Sequence, residues 1–345
     1  MFQDITIEQF IELKQKQNIA FIDVRSPSEF RDFTIPGSQN IPLFDDEERK
    51  EVGTLYKQVS AKAAQDRGLE IVSAKLPAYI KSFEKIASPK VVYCWRGGMR
   101  SKTTATVLSL MGIRVYRLTG GIRAYRNWVY HTLGNTMHLP PCVVISGHTG
   151  TGKTKVLRKL LDKGYPVIDL EQMAQHRGSI FGHISLQPNN QKMFEALLVE
   201  QLIQYRDQPY VLIEAESSRI GKVVMPEFLV TAKEQGLQIF LEMPQAQRIQ
   251  YIIEDYQPSA HQEDIIQAFE HIRKRLHTPI ATQINERLHD GDYHAAIKLL
   301  LEHYYDPRYT HGGVKYDRQP IICQAQDADD AVYLIENRLK QLFPL

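Results

Sequence analysis

The sequence predicts an α/β protein built as two consecutive domains, and three observations carry that expectation. The chain has 345 residues, a little over twice the ~150 that one domain usually takes. In both halves short apolar runs alternate with segments of helical period, the pattern of a mainly parallel sheet with helical crossovers. Each half also contains an apolar strand that runs straight into a glycine-rich turn and then a helix, at 89–111 and at 142–161.

The elements follow in order. Residues 7–14 fit a helix. Residues 18–24 (NIAFIDV) form a short apolar strand that carries Asp23 and Arg25 at its tip. Pro36-Gly37 marks a turn. An insert from 44 to about 68 carries a charged run, Asp45 to Lys50, that reads as a solvated loop or a helix start. Residues 61–69 and 78–86 read as two helices broken near Pro77. The strand 89–93 (PKVVY) leads into Cys94-Trp95-Arg96-Gly97-Gly98-Met99-Arg100, and 101–111 are helical with Ser101 as a cap. A strand at 113–118 (IRVYRL) closes on Thr119-Gly120-Gly121. The first domain is expected to span 1–130, with a linker at 131–140. The second, 141–345, opens with strand 142–146 (CVVIS), a glycine-rich loop at 147–152 and a basic helix at 153–161. Strands at 167–170, 209–215 (PYVLIEA) and 237–241, and a helix at 191–204, continue the α/β pattern. From 246 to 301 the chain is helical and polar. An irregular stretch at 304–316, a strand near 320–325 and a helix at 329–341 complete it.

Composition excludes several classes. Hydrophobic residues make up 43% and charged residues 24%, which is ordinary for a soluble globular protein and wrong for a fibre, a disordered chain or a coiled-coil rod. The balance of 42 basic and 40 acidic residues leaves +2, so a polyanion would have to be held by local basic clusters. Three cysteines make no disulfide framework and fit a reducing compartment. No apolar run reaches the ~18 residues of a membrane helix, and the N-terminus shows no basic region before an apolar core. The cytoplasm, with no membrane partner, is the expected location.

Two turns carry chemistry. Cys94 lies between a strand and a helix, in a loop where Gly97 and Gly98 permit a tight turn. Inward-facing amides, a helix N-terminus, Arg96 and Arg100 would favour a thiolate and an anionic sulfur or selenium adduct. The bland reading is a buried structural cysteine beside a turn. The second turn, Gly147-His148-Thr149-Gly150-Thr151-Gly152-Lys153-Thr154, fits G-x-x-x-x-G-K-[ST] in full. Its amides cradle a phosphate, Lys153 reaches a further one, and Thr154 can hold Mg²⁺. A nucleotide hydrolase also wants an acid after a later strand. The acids present are Glu214 and Glu216, followed by Ser217-Ser218-Arg219, and Asp169 with Glu171. This is not the usual aspartate arrangement. The segment His176-Arg177-Gly178-Ser179 with Phe181-Gly182-His183 reads either as an active-site loop or as a surface connection. No His/Cys set has zinc spacing, and Cys142 and Cys323 read as small core residues.

The first ~125 residues resemble a rhodanese domain. Asp23-Val24-Arg25, Glu29-Phe30, Ile35-Pro36-Gly37 with Asn40, the loop from Cys94 to Arg100, and Arg117-Leu118-Thr119-Gly120-Gly121 carry the match. The departure is Phe33, where many members have histidine. A rhodanese domain followed by a phosphate-loop, NTPase-like α/β domain with a helical C-terminal part is a narrower signal, and the whole chain resembles the tRNA 2-selenouridine synthase family. Tyr125-Arg126, Asp169-Leu170-Glu171, His176 to Ser179, Glu216 to Gly221, and Tyr304-Tyr305-Asp306-Pro307 with Tyr309 add to that resemblance.

The resemblance implies a transferase acting on tRNA. Sulfur in the wobble 2-thiouridine of the lysine, glutamate and glutamine tRNAs would be geranylated with geranyl diphosphate, then replaced by selenium from selenophosphate. Cys94 would take selenium as a selenopersulfide-type species or orient its donor, with Arg96 and Arg100 binding that anion. The loop from Gly147 to Thr154, with Arg177 and Arg219, would hold the diphosphate. Asp169 and Glu216 would serve as metal or acid/base groups, and Thr154 as the Mg²⁺ ligand. Arg114, Arg117, Arg123 and Arg126 with Tyr125 and Trp128, Arg273-Lys274-Arg275, and the helical region 246–301 are expected to face the anticodon loop or to be solvated helix faces. The main rivals are a sulfurtransferase fused to an ATP- or GTP-dependent module and a nucleotide-binding redox sensor. Oligomeric state has no signature.

Overall fold

In the first half of the chain the apolar runs pair side by side. A computed structural model describes residues 1–15, 19–134, 139–311 and 319–344, and of 309–311 only the backbone. Contacts divide the chain into two units, Met1–Asn135 with Glu195–Val199, and Thr136–Phe194 with Glu200–Leu345.

The first unit holds a five-stranded parallel sheet of β1 (Gln3–Ile5), β2 (Ala20–Asp23), β3 (Gln39–Asn40), β4 (Lys90–Tyr93) and β5 (Val115–Leu118). The spatial order is β1-β5-β4-β2-β3. Central β4 is buried along its whole length, as a strand covered on both faces must be. At the tip of β2, Asp23 and Arg25 form a buried ion pair, and Thr34 donates to the same carboxylate at 3.1 Å. Arg25 also donates to the carbonyl of Phe33, whose ring stacks near Tyr125 at 6.5 Å. This part of the family resemblance is therefore structural support for the fold.

Three local expectations come out differently, and one that was open is decided. The helix Ala61–Glu84 runs through Pro77 unbroken. Its buried stripe of Val72, Tyr79, Ile80 and Phe83 spans the proline, so packing outweighs the lost hydrogen bond. The charged run is a helix start: Asp46–Gln58 opens on a capping box in which Glu48 N donates to Asp45 at 2.8 Å and Asp45 N donates to Glu48 at 2.9 Å. Ser101 is not a cap. The helix Met99–Leu110 begins after Gly98, and Ser101 is buried within its first turn. Tyr125, on the helix Gly121–Gly134, is fully buried against Phe10 and Trp128, so it offers no face to a nucleic-acid base.

The second unit holds another five-stranded parallel sheet, of β6 (Cys142–Gly147), β7 (Val167–Ile168), β8 (Val211–Glu214), β11 (Leu237–Glu242) and β12 (Ile321–Gln324). The order is β12-β11-β6-β8-β7. A separate antiparallel ribbon joins β9 (Arg219–Ile220) to β10 (Val223–Val224). β7 and β8 are added on one side of β6, and β11 and β12 on the other, so a crevice opens beyond the carboxyl end of that strand. Cys142 and Cys323 are buried in this unit, as small core residues. The polar stretch after 245 is four helices, Gln245–Tyr256, Gln262–Arg273, Thr278–His289 and Tyr293–Leu300. They close around an apolar core of their own that includes Phe269, Ile272, Ile284 and Leu288. A π-helical turn, Leu301–Tyr305, and a helix, Asp306–His311, follow. The stretch expected to be irregular is thus helical as far as His311, and the rest of it lies outside the described residues; of the linker expected at 131–140, residues 131–134 are instead the end of the helix Gly121–Gly134, and 135–138 lie outside the described residues. No helix among the described residues is long and apolar enough to cross a membrane.

Candidate functional site

The cysteine turn is held by its glycines. Cys94 is buried at the end of β4, with its Sγ 3.2 Å from the Ser101 hydroxyl. Its carbonyl accepts from Ile122 N at 2.9 Å. A Cβ on Gly121, where φ is +58°, would come within 2.1 Å of that carbonyl oxygen. Gly97, with φ of +65°, packs on the amides of Gly120 and Gly121. Arg117 donates to Gly97 O at 2.8 Å and to both carboxylate oxygens of Asp4 at 2.6 and 2.7 Å. Expected to face the anticodon loop or to be part of a solvated helix face, it is a prop of the cysteine loop. Arg96 is exposed beside Cys94. Arg100 is held through two guanidinium nitrogens by Glu29. Burial opposes ionisation of Glu29, yet the bonds and charge of Arg100 outweigh it and lower its pKa.

The phosphate turn leaves β6 and enters the helix Lys153–Asp162. Gly150 and Gly152 have φ of +82° and +67°. A Cβ there would meet Arg248 O at 2.9 Å and the Tyr251 ring at 2.9 Å, so neither position has room for a side chain. The Lys153 ammonium lies 3.1 Å from Gly147 O and 3.4 Å from His148 O. Arg248, 99 residues away, donates to Thr149 O at 2.8 Å and grips Asp306 through two bonds of 3.0 and 2.6 Å. His148 Nδ1 stands 3.6 Å from the same carboxylate, and burial pulls the pKa of this imidazole down. The loop is thereby fastened to the helical part of the unit.

Carboxylates crowd the far side of the turn. The Thr154 hydroxyl donates to Glu171 at 2.7 Å, and the backbone N–H of Glu171 donates to Glu214 at 3.1 Å. Burial, reinforced by the nearby charge of Glu216, pushes the Glu171 carboxyl up to about 7. Glu214 is fully buried at the end of β8, and burial with the charge of Glu171 lifts it well above the usual carboxyl range. Lys233 donates to Glu216 O, and burial lowers its ammonium to about 8. Gly150, Lys153, Thr154, Glu171, Arg177 and Glu216 all border one cleft of about 720 Å³. These residues bring together a phosphate cradle, the cations Lys153 and Arg177, and the carboxylates Glu171 and Glu216.

Two expected members stand elsewhere. Asp169 accepts from Gln172 N at 2.7 Å as the cap of the short helix Leu170–Ala174, and its other oxygen pairs with Arg158 at 3.1 Å. Glu171, two residues on, is the acid that meets Thr154. Arg219 is exposed on the β9 ribbon, away from the cleft wall. Arg177 does reach the wall, bonded to Ile184 O at 2.9 Å with its guanidinium 5.0 Å over the Tyr256 ring. The His176 ring accepts from Gly178 N and fills the space left open at Gly182 and Gly221. The segment 176–183 is therefore part of the site's framework, not a free connection. Among the described residues no three His, Cys, Asp or Glu side chains converge as a metal cage. Thr154, Glu171 and the buried, unpartnered Oε1 of Glu214 are hard oxygen donors. They suit Mg²⁺, which takes its remaining ligands from phosphate and water.

Comparison with known proteins bears on both turns. Residues 6–127 match the rhodanese-like domain family, and residues 140–341 match the family described as tRNA 2-selenouridine synthase AAA domain. A tRNA 2-selenouridine synthase of Sulfurovum sp. (strain NBC37-1) is 34% identical, over 93% of this chain and 96% of the relative. That of Shewanella piezotolerans is 33% identical, over 84% and 87%. Among solved structures, the N-terminal domain of a putative ATP/GTP binding protein from Clostridium difficile 630 is 38% identical, covering 37% of this chain and 98% of that one, with a TM-score of 0.35.

Proposed function

This chain belongs to the tRNA 2-selenouridine synthase family, and from that premise we propose that it replaces sulfur by selenium in the wobble 2-thiouridine of tRNA, through an S-geranyl intermediate. The observation that carries the reading is the pairing in one chain, and in this order, of the matches at 6–127 and 140–341. The substrates are the lysine, glutamate and glutamine tRNAs, geranyl diphosphate and selenophosphate.

The two turns divide the chemistry. Sulfide is a poor leaving group from C2 of the base, and alkylation makes it a good one. The diphosphate of the prenyl donor lies on the amides of 147–152 with Lys153 on its outer phosphate. As the allylic C–O bond breaks, its electron pair passes to diphosphate, and the thiouridine sulfur forms the new C–S bond. Fixed amides and the Lys153 charge favour that step, because they face the oxygen on which charge develops. Thr154 and Glu171 would hold Mg²⁺, which supplies further neutralisation when bound. Glu216 remains as the carboxylate at the cleft for proton transfer. At the other turn, Cys94 carries or orients the selenium donor, and exposed Arg96 attracts its anionic charge. Selenium of the donor forms the C2–Se bond as the C2–S bond breaks, the geranyl thiolate leaving with the electron pair and taking up a proton, and water then cleaves the Se–P bond so that phosphate leaves and selenium stays on C2.

The test is mass spectrometry of nucleosides from a 2-thiouridine tRNA. Incubation with geranyl diphosphate and Mg²⁺ should yield S-geranyl-2-thiouridine, and added selenophosphate should yield 2-selenouridine. Unchanged tRNA, with the protein folded and RNA-bound, would overturn the reading in favour of a sulfurtransferase joined to a nucleotide-dependent module.

A further inference from the structure

Beside the phosphate cleft lies a second chamber of a different character. Its walls are almost wholly apolar, and five residues, Thr149, Ser179, Ile252, Tyr256 and Tyr305, line both spaces. Thr149 belongs to the phosphate turn itself, so the two spaces adjoin at the loop. The hydroxyl of Tyr256 is engaged by Ser179 at 2.8 Å, and Arg177 lies over its ring. That ring is therefore placed where an anionic head could give way to an apolar body. Away from the mouth the wall continues with Phe181, Ile265, Leu288, Ile297 and Leu300, contributed by the segment 176–183 and three of the four helices after 245. The π-helical turn Leu301–Tyr305 adds Leu301 and Tyr305 and ends at Asp306, which grips Arg248 and through it the phosphate turn. Such turns recur where a helix is locally reshaped around a site.

The chemistry of the wall selects its occupant. A nucleotide base would bring several donors and acceptors, and burying them without partners is costly. A hydrocarbon loses nothing there. Space sets the length. The chamber has a volume of about 60 Å³, or roughly four to six water positions at about 10–15 Å³ each. A five-carbon isoprene unit displaces about three waters at ~30 Å³ each, so the chamber takes between one and two units.

We infer that this chamber receives the hydrocarbon tail of the diphosphate ester bound at Lys153, and that its floor, Ile265, Leu288, Ile297 and Leu300, limits that tail to two isoprene units. This rests on the reading of 147–154 as a diphosphate site and adds to it the determinant of chain length.

Calorimetric titration of the full chain with inorganic diphosphate, dimethylallyl, geranyl and farnesyl diphosphate tests it. Affinity should rise with each unit to geranyl, at least tenfold over inorganic diphosphate, and gain nothing at farnesyl. Ile297→Phe, which fills the chamber, should weaken geranyl diphosphate at least tenfold and keep inorganic diphosphate within twofold. Leu288→Ala should raise farnesyl affinity at least tenfold, a gain that misfolding does not produce. Geranyl diphosphate binding no tighter than inorganic diphosphate, or Leu288→Ala without that gain, would overturn the inference. An error in the diphosphate reading would show separately, as Lys153→Ala binding inorganic diphosphate unchanged.

Discussion

Replacing Glu171 by glutamine should make the protein more stable and less active, and pH should set the size of the first effect. Burial and the charge of Glu216 push this carboxyl up to about 7 from an ordinary value of 4.5. Every tenfold gain in proton affinity on folding corresponds to about 1.4 kcal/mol, so holding Glu171 ionised in the fold above pH 7 costs up to about 3 kcal/mol. Between pH 4.5 and 7 the folded chain keeps a proton that the unfolded chain has released. Stability therefore falls as pH rises through that window and levels off above it. Below pH 4.5 both states are protonated and nothing is lost. Glutamine removes the charge and keeps an oxygen for the Thr154 hydroxyl. The expected gain at about pH 8 is up to about 3 kcal/mol, or about 6–12 °C in Tm for a unit of this size, shrinking to nothing near pH 4.5. Thermal unfolding of the ligand-free protein and variant across that range measures it. A variant no more stable than the parent above pH 7, or equally stabilised at every pH, would refute the electrostatic reasoning. Geranyl transfer should fall by roughly 10–100-fold, since one of the two groups proposed to hold Mg²⁺ is lost.

The two turns should separate by mutation. Lys153→Ala should reduce geranyl transfer by roughly 10²–10³-fold, whereas Cys94→Ala should leave it intact, abolish 2-selenouridine and let the S-geranyl nucleoside accumulate, all read from one nucleoside analysis. Gly121→Ala drives a Cβ into the Cys94 carbonyl and should cost roughly 3 kcal/mol or more, lowering the unfolding midpoint of the first unit; Gly98→Ala, with nothing within 4 Å of its new Cβ, is the matched control. Asp306→Asn strips the charge that holds Arg248, whose side chain is 7% exposed. About 2 kcal/mol should be lost, less than for a fully buried pair because Asp306 is itself 30% exposed. Inorganic diphosphate should bind more weakly as the Thr149 carbonyl loses its anchor, and unchanged binding would show that the clasp does not serve the loop.

Much of the site was legible because it is local. The turns at 94–100 and 147–154 each join one strand to one helix, and glycine at the left-handed positions with lysine or cysteine at a fixed offset needs no distant partner to be read. What was misread depended on burial. Tyr125 and Arg117 look like nucleic-acid contacts in a basic stretch, yet one fills a core and the other spans Asp4 and Gly97. Asp169 and Glu171 are equivalent by spacing, and the start of the helix Leu170–Ala174 turns one into a cap and the other toward Thr154. Pro77 looks like a break until the stripe packed across it is seen.

By itself the sequence determined that this protein has two α/β halves, a cysteine turn and a phosphate turn, since these follow from short-range backbone conformation and periodicity. Only the tertiary structure decided what surrounds them. The grip of Arg248 on Thr149 and Asp306 closes over separations of 99 and 58 residues. The apolar chamber is assembled from one residue or a few on each of several amphipathic helices. Neither has a local signature, because desolvation and side-chain convergence depend on which distant surfaces meet, and no window of sequence contains both sides of the contact.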